Sequence, residues 1–150
     1  MKLLIKNGHV IDPANARDGR FDVLIDRGKI ADMQPSISIN GAKTIDAAGQ
    51  LVVPGLIDLH THLRQPGRED KETIATGCRA AVRGGFTTIC AMPNTTPAID
   101  HRGVVYFIHQ EAQRVGLAAV KSIGAITKGR QGRELTDFGE LFDAGCVALS

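Results

Sequence analysis

The chain has 150 residues, 43% hydrophobic and 23% charged, a balance that suits a folded domain with a core and argues against disorder. Eighteen Lys and Arg against 16 Asp and Glu leave a net charge of +2, too little for counterion release to drive nucleic-acid binding, and with aromatics at 4% there are no base-stacking platforms. No apolar run approaches the roughly 18 residues of a membrane-spanning helix, and Lys2 and Lys6 break up the N-terminus before a signal-peptide core can form.

A cytoplasmic protein without nucleic-acid or membrane partners is therefore expected. Cys78, Cys90 and Cys146 are odd in number, widely spaced and set among apolar neighbours, which predicts reduced core thiols rather than a disulfide framework or zinc knuckle.

In chain order, the first fifty residues predict short strands joined by glycine turns. The strands are Lys2 to Lys6, His9 to Asp12 after an Asn7-Gly8 turn, Phe21 to Ile25, and Lys29 to Met33 after Asp26-Arg27-Gly28. Lys43 to Asp46 and Gln50 to Val53 follow, and Pro54-Gly55 marks a boundary between a β-rich module, 1–53, and a second module, 54–150.

After Pro54 strand and helix alternate. Leu56 to His60 reads as a buried parallel strand, and Glu72 to Arg83 carries Ile74, Ala75, Cys78, Ala81 and Val82 at helical spacing. Phe86 to Met92 is the next strand. Asp100 is the expected cap of a helix with the stripe Val104, Ile108, Ala112 and Val115, closed by Gly116. Leu117 to Ile126 is a third strand. A glycine-rich basic loop, Thr127 to Arg133, reads as a mobile rim segment that helps cover a substrate. A helix with Leu135, Phe138, Leu141 and Phe142 on one face then runs to Gly145, and Cys146 to Ser150 starts a fourth strand. Units of roughly thirty residues imply a parallel sheet, because a parallel return needs a crossover. Open sheet and closed barrel both fit this pattern.

His60-Thr61-His62 stands where the first parallel strand ends. Residues two apart on a strand project from one face, so both imidazoles can address one metal ion, although two polar residues at a strand end fit the pair as well. Asp58 reads as structural, orienting a ligand by hydrogen bonding. Arg64 continues the alternation, and its planar guanidinium suits bidentate capture of a carboxylate, which implies an acidic substrate. Asn94, in Met92-Pro93-Asn94-Thr95, is placed at the same rim, where it can hold a carboxylate or carbonyl or form an Asx turn. His9, His101 and His109 lie outside this cluster and read as solvated or helix-face residues.

These motifs resemble the amidohydrolase superfamily and, within it, class I dihydroorotase. The resemblance is carried by His60-Thr61-His62-Leu63-Arg64-Gln65-Pro66-Gly67, by Lys71-Glu72-Thr73-Ile74-Ala75-Thr76-Gly77, by Gly84-Gly85-Phe86-Thr87-Thr88, by Met92-Pro93-Asn94-Thr95 and by Gly124-Ala125-Ile126-Thr127-Lys128-Gly129. It spans essentially the whole chain, and hydantoinases and allantoinases usually differ at the Arg64 and Asn94 positions. It implies an α/β fold with an N-terminal β-sandwich portion in 1–53. In 54–150 it implies the first three β/α units of a TIM-type (β/α)8 barrel, truncated at the start of strand 4, since a whole barrel takes about 250 residues.

The same resemblance implies a zinc-dependent cyclic amide hydrolase with one or two zinc ions, interconverting N-carbamoyl-L-aspartate and dihydroorotate in pyrimidine biosynthesis. It makes His60 and His62 metal ligands, and His62, Arg64 and Asn94 substrate contacts. Further ligands and the general base are expected beyond Ser150, so no catalytic residue is assigned here and the 150-residue chain is expected to be inactive alone. A homo-oligomer and a complex with aspartate carbamoyltransferase are the protein partners left open. The alternatives are a noncatalytic subunit scaffolding that transferase, which would not need both histidines, and an allantoinase- or hydantoinase-type amidase.

Overall fold

The computed structural model describes residues 2–150, which divide into two compact units between Pro54 and Gly55. The first unit is one mixed sheet. It contains β1 (Lys2–Asp12), β2 (Arg17–Asp26), β3 (Lys29–Gln34), β4 (Lys43–Asp46) and β5 (Leu51–Val52). The order is β3-β2-β1-β4, with β5 also paired to β1. The β1–β2 and β2–β3 pairs are antiparallel, whereas β4 and β5 run parallel to β1. Leu4, Val10, Val23, Ile37 and Ala47 are buried in this unit.

The expected Asn7-Gly8 turn is not a turn. β1 runs through it, and the register against β2 slips between Ile5 and Gly8, with Asn7 at φ 63°. The reason is a polar staple. Asn7 donates its backbone N–H to Asp22 Oδ1 (2.9 Å) and its side-chain amide to Asp46 Oδ1 (2.9 Å), so the left-handed residue becomes a bulge instead of a reversal. Gly8 then lies so close to Val52 that an added Cβ would stand 2.5 Å from its Cγ2.

The second unit is a four-stranded parallel sheet in the order β6-β7-β8-β9. Its strands are β6 (Leu56–Thr61), β7 (Phe86–Ala91), β8 (Ala119–Gly124) and β9 (Cys146–Leu149). The crossovers carry α1 (Ile74–Arg83), α2 (Arg102–Val115) and α3 (Phe138–Asp143). α1 starts at a reciprocal cap between Thr73 and Thr76, and α2 ends on Gly116 at φ 64°, where a left-handed residue costs glycine least. The core is the apolar stripe of these helices against the sheet: Ile74 and Cys78 from α1, Val105 and Ile108 from α2, Ile89 and Val120 from the strands. Full burial of side chains of this size stabilises by roughly 1.5–3 kcal/mol each. All three cysteines are free and buried, and burial pushes each thiol above its ordinary value, that of Cys146 to about 11.

Two expectations for this unit are corrected. Asp100 does not cap α2; His101 does, accepting from Gly103 N–H at 3.1 Å, while the Asp100 carboxylate accepts from Gly129 N–H at 2.8 Å. The stripe proposed for the third helix does not form a buried face. α3 is six residues long with Asp137 as its cap, and Leu141 is fully buried while Phe142 is 75% exposed. Leu135 lies before the helix in an isolated bridge with Thr127, because Thr136 N–H is bonded to Ile126 O (3.0 Å). No helix among the described residues is long and apolar enough to cross a membrane.

Asp22 is 2% exposed and carries the loop after β3 as well as the β1 bulge, accepting from Ile37 N–H (2.9 Å) and Asn7 N–H. Burial pushes its carboxyl up, but the two backbone donors and Lys6 outweigh burial and hold it below 3.8. A carboxyl lowered by folding contributes stability that is complete above the unfolded value and is lost as pH falls through the folded one. Urea titrations should therefore show stability declining below about pH 4, and Asp22→Asn should remove part of that decline. The substitution should also cost about 1–3 kcal/mol at neutral pH, since an amide presents one acceptor to two buried donors. In the same assay Ile108→Ala should cost about 2–5 kcal/mol through the cavity it leaves.

Candidate metal and substrate site

The loops after β6, β7 and β8 meet at the carboxyl ends of the parallel strands. There they enclose a cavity of about 470 Å³ whose lining includes His60, His62, Asn94, Thr127 and Arg130. Strand β6 does not reach this rim in simple alternation. Its register against β7 slips between Asp58 and Thr61, where three steps on β6 oppose two on β7, which places one extra residue in β6 beside the histidines. The displaced His60 N–H is taken by Asp58 Oδ1 at 3.0 Å. Bulges of this kind re-aim side chains at functional rims. Asp58 thus supports the backbone of His60 rather than its ring.

The two imidazoles stand edge to face with centroids 5.1 Å apart. His62 Nδ1 is 3.0 Å from Asn94 Oδ1. A carbonyl oxygen can only accept, so Nδ1 carries the proton and the lone pair of His62 resides on Nε2, the arrangement that a metal-ligating imidazole requires. The pair fits the donor chemistry of zinc, supplying two of the three protein ligands that a catalytic zinc usually takes. No group of three or more His, Cys, Asp or Glu disposed to hold a metal occurs among the described residues.

The other histidines are engaged elsewhere. His9 Nε2 lies 2.6 Å from Asp18 Oδ1, His101 caps α2, and His109 Nε2 is 3.3 Å from the hydroxyl of fully buried Ser122. Burial, aided by Lys121, lowers the pKa of His109.

Arg64 is not brought into the cavity lining, and the expected alternation through Arg64 is overturned. β6 ends at Thr61, Leu63 turns into the core at 3% exposure, and Arg64 has φ 61° between Leu63 O and Gln65 N–H, which are bonded at 2.7 Å. This is a γ-turn of the rare positive-φ kind, a backbone state that costs on the order of 1–3 kcal/mol in a non-glycine residue. The arginine loop is joined to the Asn94 loop through Thr96 N–H to Pro66 O (2.9 Å) and through Gly67. At Gly67 φ is 101°, and a Cβ would stand 2.2 Å from Thr96 O.

The cavity also takes Thr127, Arg130 and Gly132 from the loop after β8, the rim segment that the sequence expects to help cover a substrate but within which it singles out no site residue. Its signal was its glycine content and its place at a strand's carboxyl end. The loop is tied at several points: Gly129 to Asp100, Gly132 N–H to Thr127 Oγ1 (3.0 Å), Lys128 N–H to Glu134 O (2.8 Å), and an ion pair between the Lys128 and Glu134 side chains.

A family profile described as Dihydro-orotase-like matches residues 49–150. The chain is 53% identical over 150 residues to a dihydroorotase of Elusimicrobium minutum and 51% identical over 150 residues to one of Aquifex aeolicus, covering all of this chain and 35% and 36% of those proteins. It thus spans about a third of the length of the curated relatives it matches. Among solved structures, an L-hydantoinase from Arthrobacter aurescens superposes with a TM-score of 0.80 at 24% identity, over 98% of this chain and 32% of that one, a likeness of fold. With a family profile over residues 49–150 and half-identical relatives along its whole length, the chain belongs to the dihydroorotase-like family.

Proposed function

We propose that this chain forms part of a zinc-dependent dihydroorotase, converting N-carbamoyl-L-aspartate and dihydroorotate into one another in pyrimidine biosynthesis. The reading rests chiefly on the bond between His62 and Asn94. It ties the imidazole pair to the second strand's loop at the mouth of a cavity, in a chain half identical to proteins named dihydroorotase. Its four parallel strands and three helices are read as the opening units of a (β/α)8 barrel, and the N-terminal sheet as a portion of a β-sandwich. A cytoplasmic location goes with this function.

His60 and His62 are the residues proposed to hold the metal. When bound, zinc supplies a Lewis acid for the amide carbonyl and acidifies water at neutral pH. Asn94, which lines the cavity, fixes the tautomer of His62, and its amide N–H groups are the donors proposed for a substrate oxygen. Arg64, held off the strand by its γ-turn, is proposed to take the carboxylate that dihydroorotate carries on its ring. Reaction toward the open chain adds water across the ring amide: the C–N bond breaks, the carbonyl carbon takes the water oxygen and becomes the second carboxylate, the nitrogen takes one of the water's protons, and the other is released to solvent.

In the protein produced from its own gene, His60→Ala should lower bound zinc measured by elemental analysis, and undiminished zinc would remove His60 from the ligand set. Arg64→Ala should weaken binding of N-carbamoyl-L-aspartate by about 2–5 kcal/mol, as expected when one partner of a desolvated charge pair is lost, and an unchanged KM would exclude that role. Turnover of an uncharged hydantoin in place of dihydroorotate would move the assignment to a hydantoinase-type amidase.

A further inference from the structure

Arg64 sits in a left-handed turn, at φ 61°, and a non-glycine residue keeps such a backbone state only where its surroundings over-determine it. Both flanks of the turn are docked on one element, α1. On the near side Leu63, 3% exposed, fits a notch beside Gly77, where an added Cβ would collide with Leu63 Cδ2. On the far side the side-chain carbonyl of Gln65 accepts from Ile74 N–H at 2.9 Å. Ile74 is the first residue of α1 and is fully buried. The first N–H groups of a helix have no partner within it and lie at the positive end of its dipole, so an oxygen arriving from another segment is held there firmly. Thr73 Oγ1 serves Thr76 N–H at 3.1 Å, and Ile74 N–H is taken by Gln65.

Resting on the dihydroorotase reading, we propose that Gln65 is a positioning residue for that reaction and acts through Arg64. Its bond to the head of α1 holds the arginine in the turn from which the guanidinium takes the substrate carboxylate. Gln65 spends its carbonyl on the helix rather than on substrate. Without that bond the strain of the turn is opposed on one flank less, and the relaxed loop with negative φ gains population. A ligand that needs the strained form then binds more weakly, in proportion to the fraction that remains in it. N-carbamoyl-L-aspartate and dihydroorotate both carry the carboxylate assigned to Arg64, so both are affected.

The test is steady-state kinetics on the protein produced from its own gene. Gln65→Met, which keeps the length of the side chain but not the acceptor, should raise KM for both compounds about tenfold with a smaller change in kcat. Gln65→Glu, which keeps an acceptor, should restore most of the loss. Gly77→Ala, which fills the notch under Leu63 on the other flank, should raise the same constants. Thr73→Ala removes a neighbouring cap of α1 without touching the turn, and should lower stability while leaving KM in place. On an Arg64→Ala background Gln65→Met should add nothing, because the group it positions is gone. An unchanged KM in Gln65→Met, an equal rise in Thr73→Ala, or rises that multiply in the double variant overturn the assignment and leave the dihydroorotase reading standing. A wild-type protein that turns over neither compound overturns that reading, and this inference with it.

Discussion

Parallel strands must all leave the sheet on the same side, and every helix has to carry the chain back before the next strand can begin. From that constraint the site follows. Residues separated by thirty or more positions, His62 after β6, Asn94 after β7 and Arg130 after β8, are delivered to one rim because no parallel topology delivers them elsewhere. The core beneath, with Ile74, Val105, Ile108 and Leu141 fully buried, makes the rim a rigid platform for its loops.

On this platform the polar contacts divide into two kinds. Some hold backbone: Asp58 on His60 N–H, Asp100 on Gly129 N–H, Thr127 on Gly132 N–H. Others hold the chemistry-bearing groups, above all Asn94 on the ring of His62. The first kind uses the side chains of Asp58, Asp100 and Thr127, of which Thr127 also lines the cavity.

Much of this architecture was legible in the sequence, because period and punctuation are local properties. The apolar stripe of α2, its glycine stop and the strand pattern of 86–92 all follow from residues within a few positions of one another. The histidine pair was legible for the same reason, being two residues apart at the end of an apolar run. What escaped was set by contacts across long stretches of chain. Asp100 reads as a helix cap until Gly129, 29 residues later, claims its carboxylate. Asn7-Gly8 reads as a reversal until Asp22 and Asp46 hold it within a continuous strand. Arg64 sits in an alternating pattern that ends where Leu63 finds the core. Arg130 belongs to a basic loop that the sequence places at the rim without singling out any of its residues, since nothing in its neighbours reveals which cations are already paired.

The contact at Gly67 has a bearing on how a ligand enters. With no room for a single carbon between Gly67 and Thr96, and with Pro66 and Thr96 bonded across the same joint, the loops bearing Arg64 and Asn94 are welded to each other. One cannot lift without dragging the other, so this side of the cavity behaves as a wall. The loop after β8 is fastened through individual hydrogen bonds with no comparable steric lock, and opening it breaks a few polar contacts that water can replace.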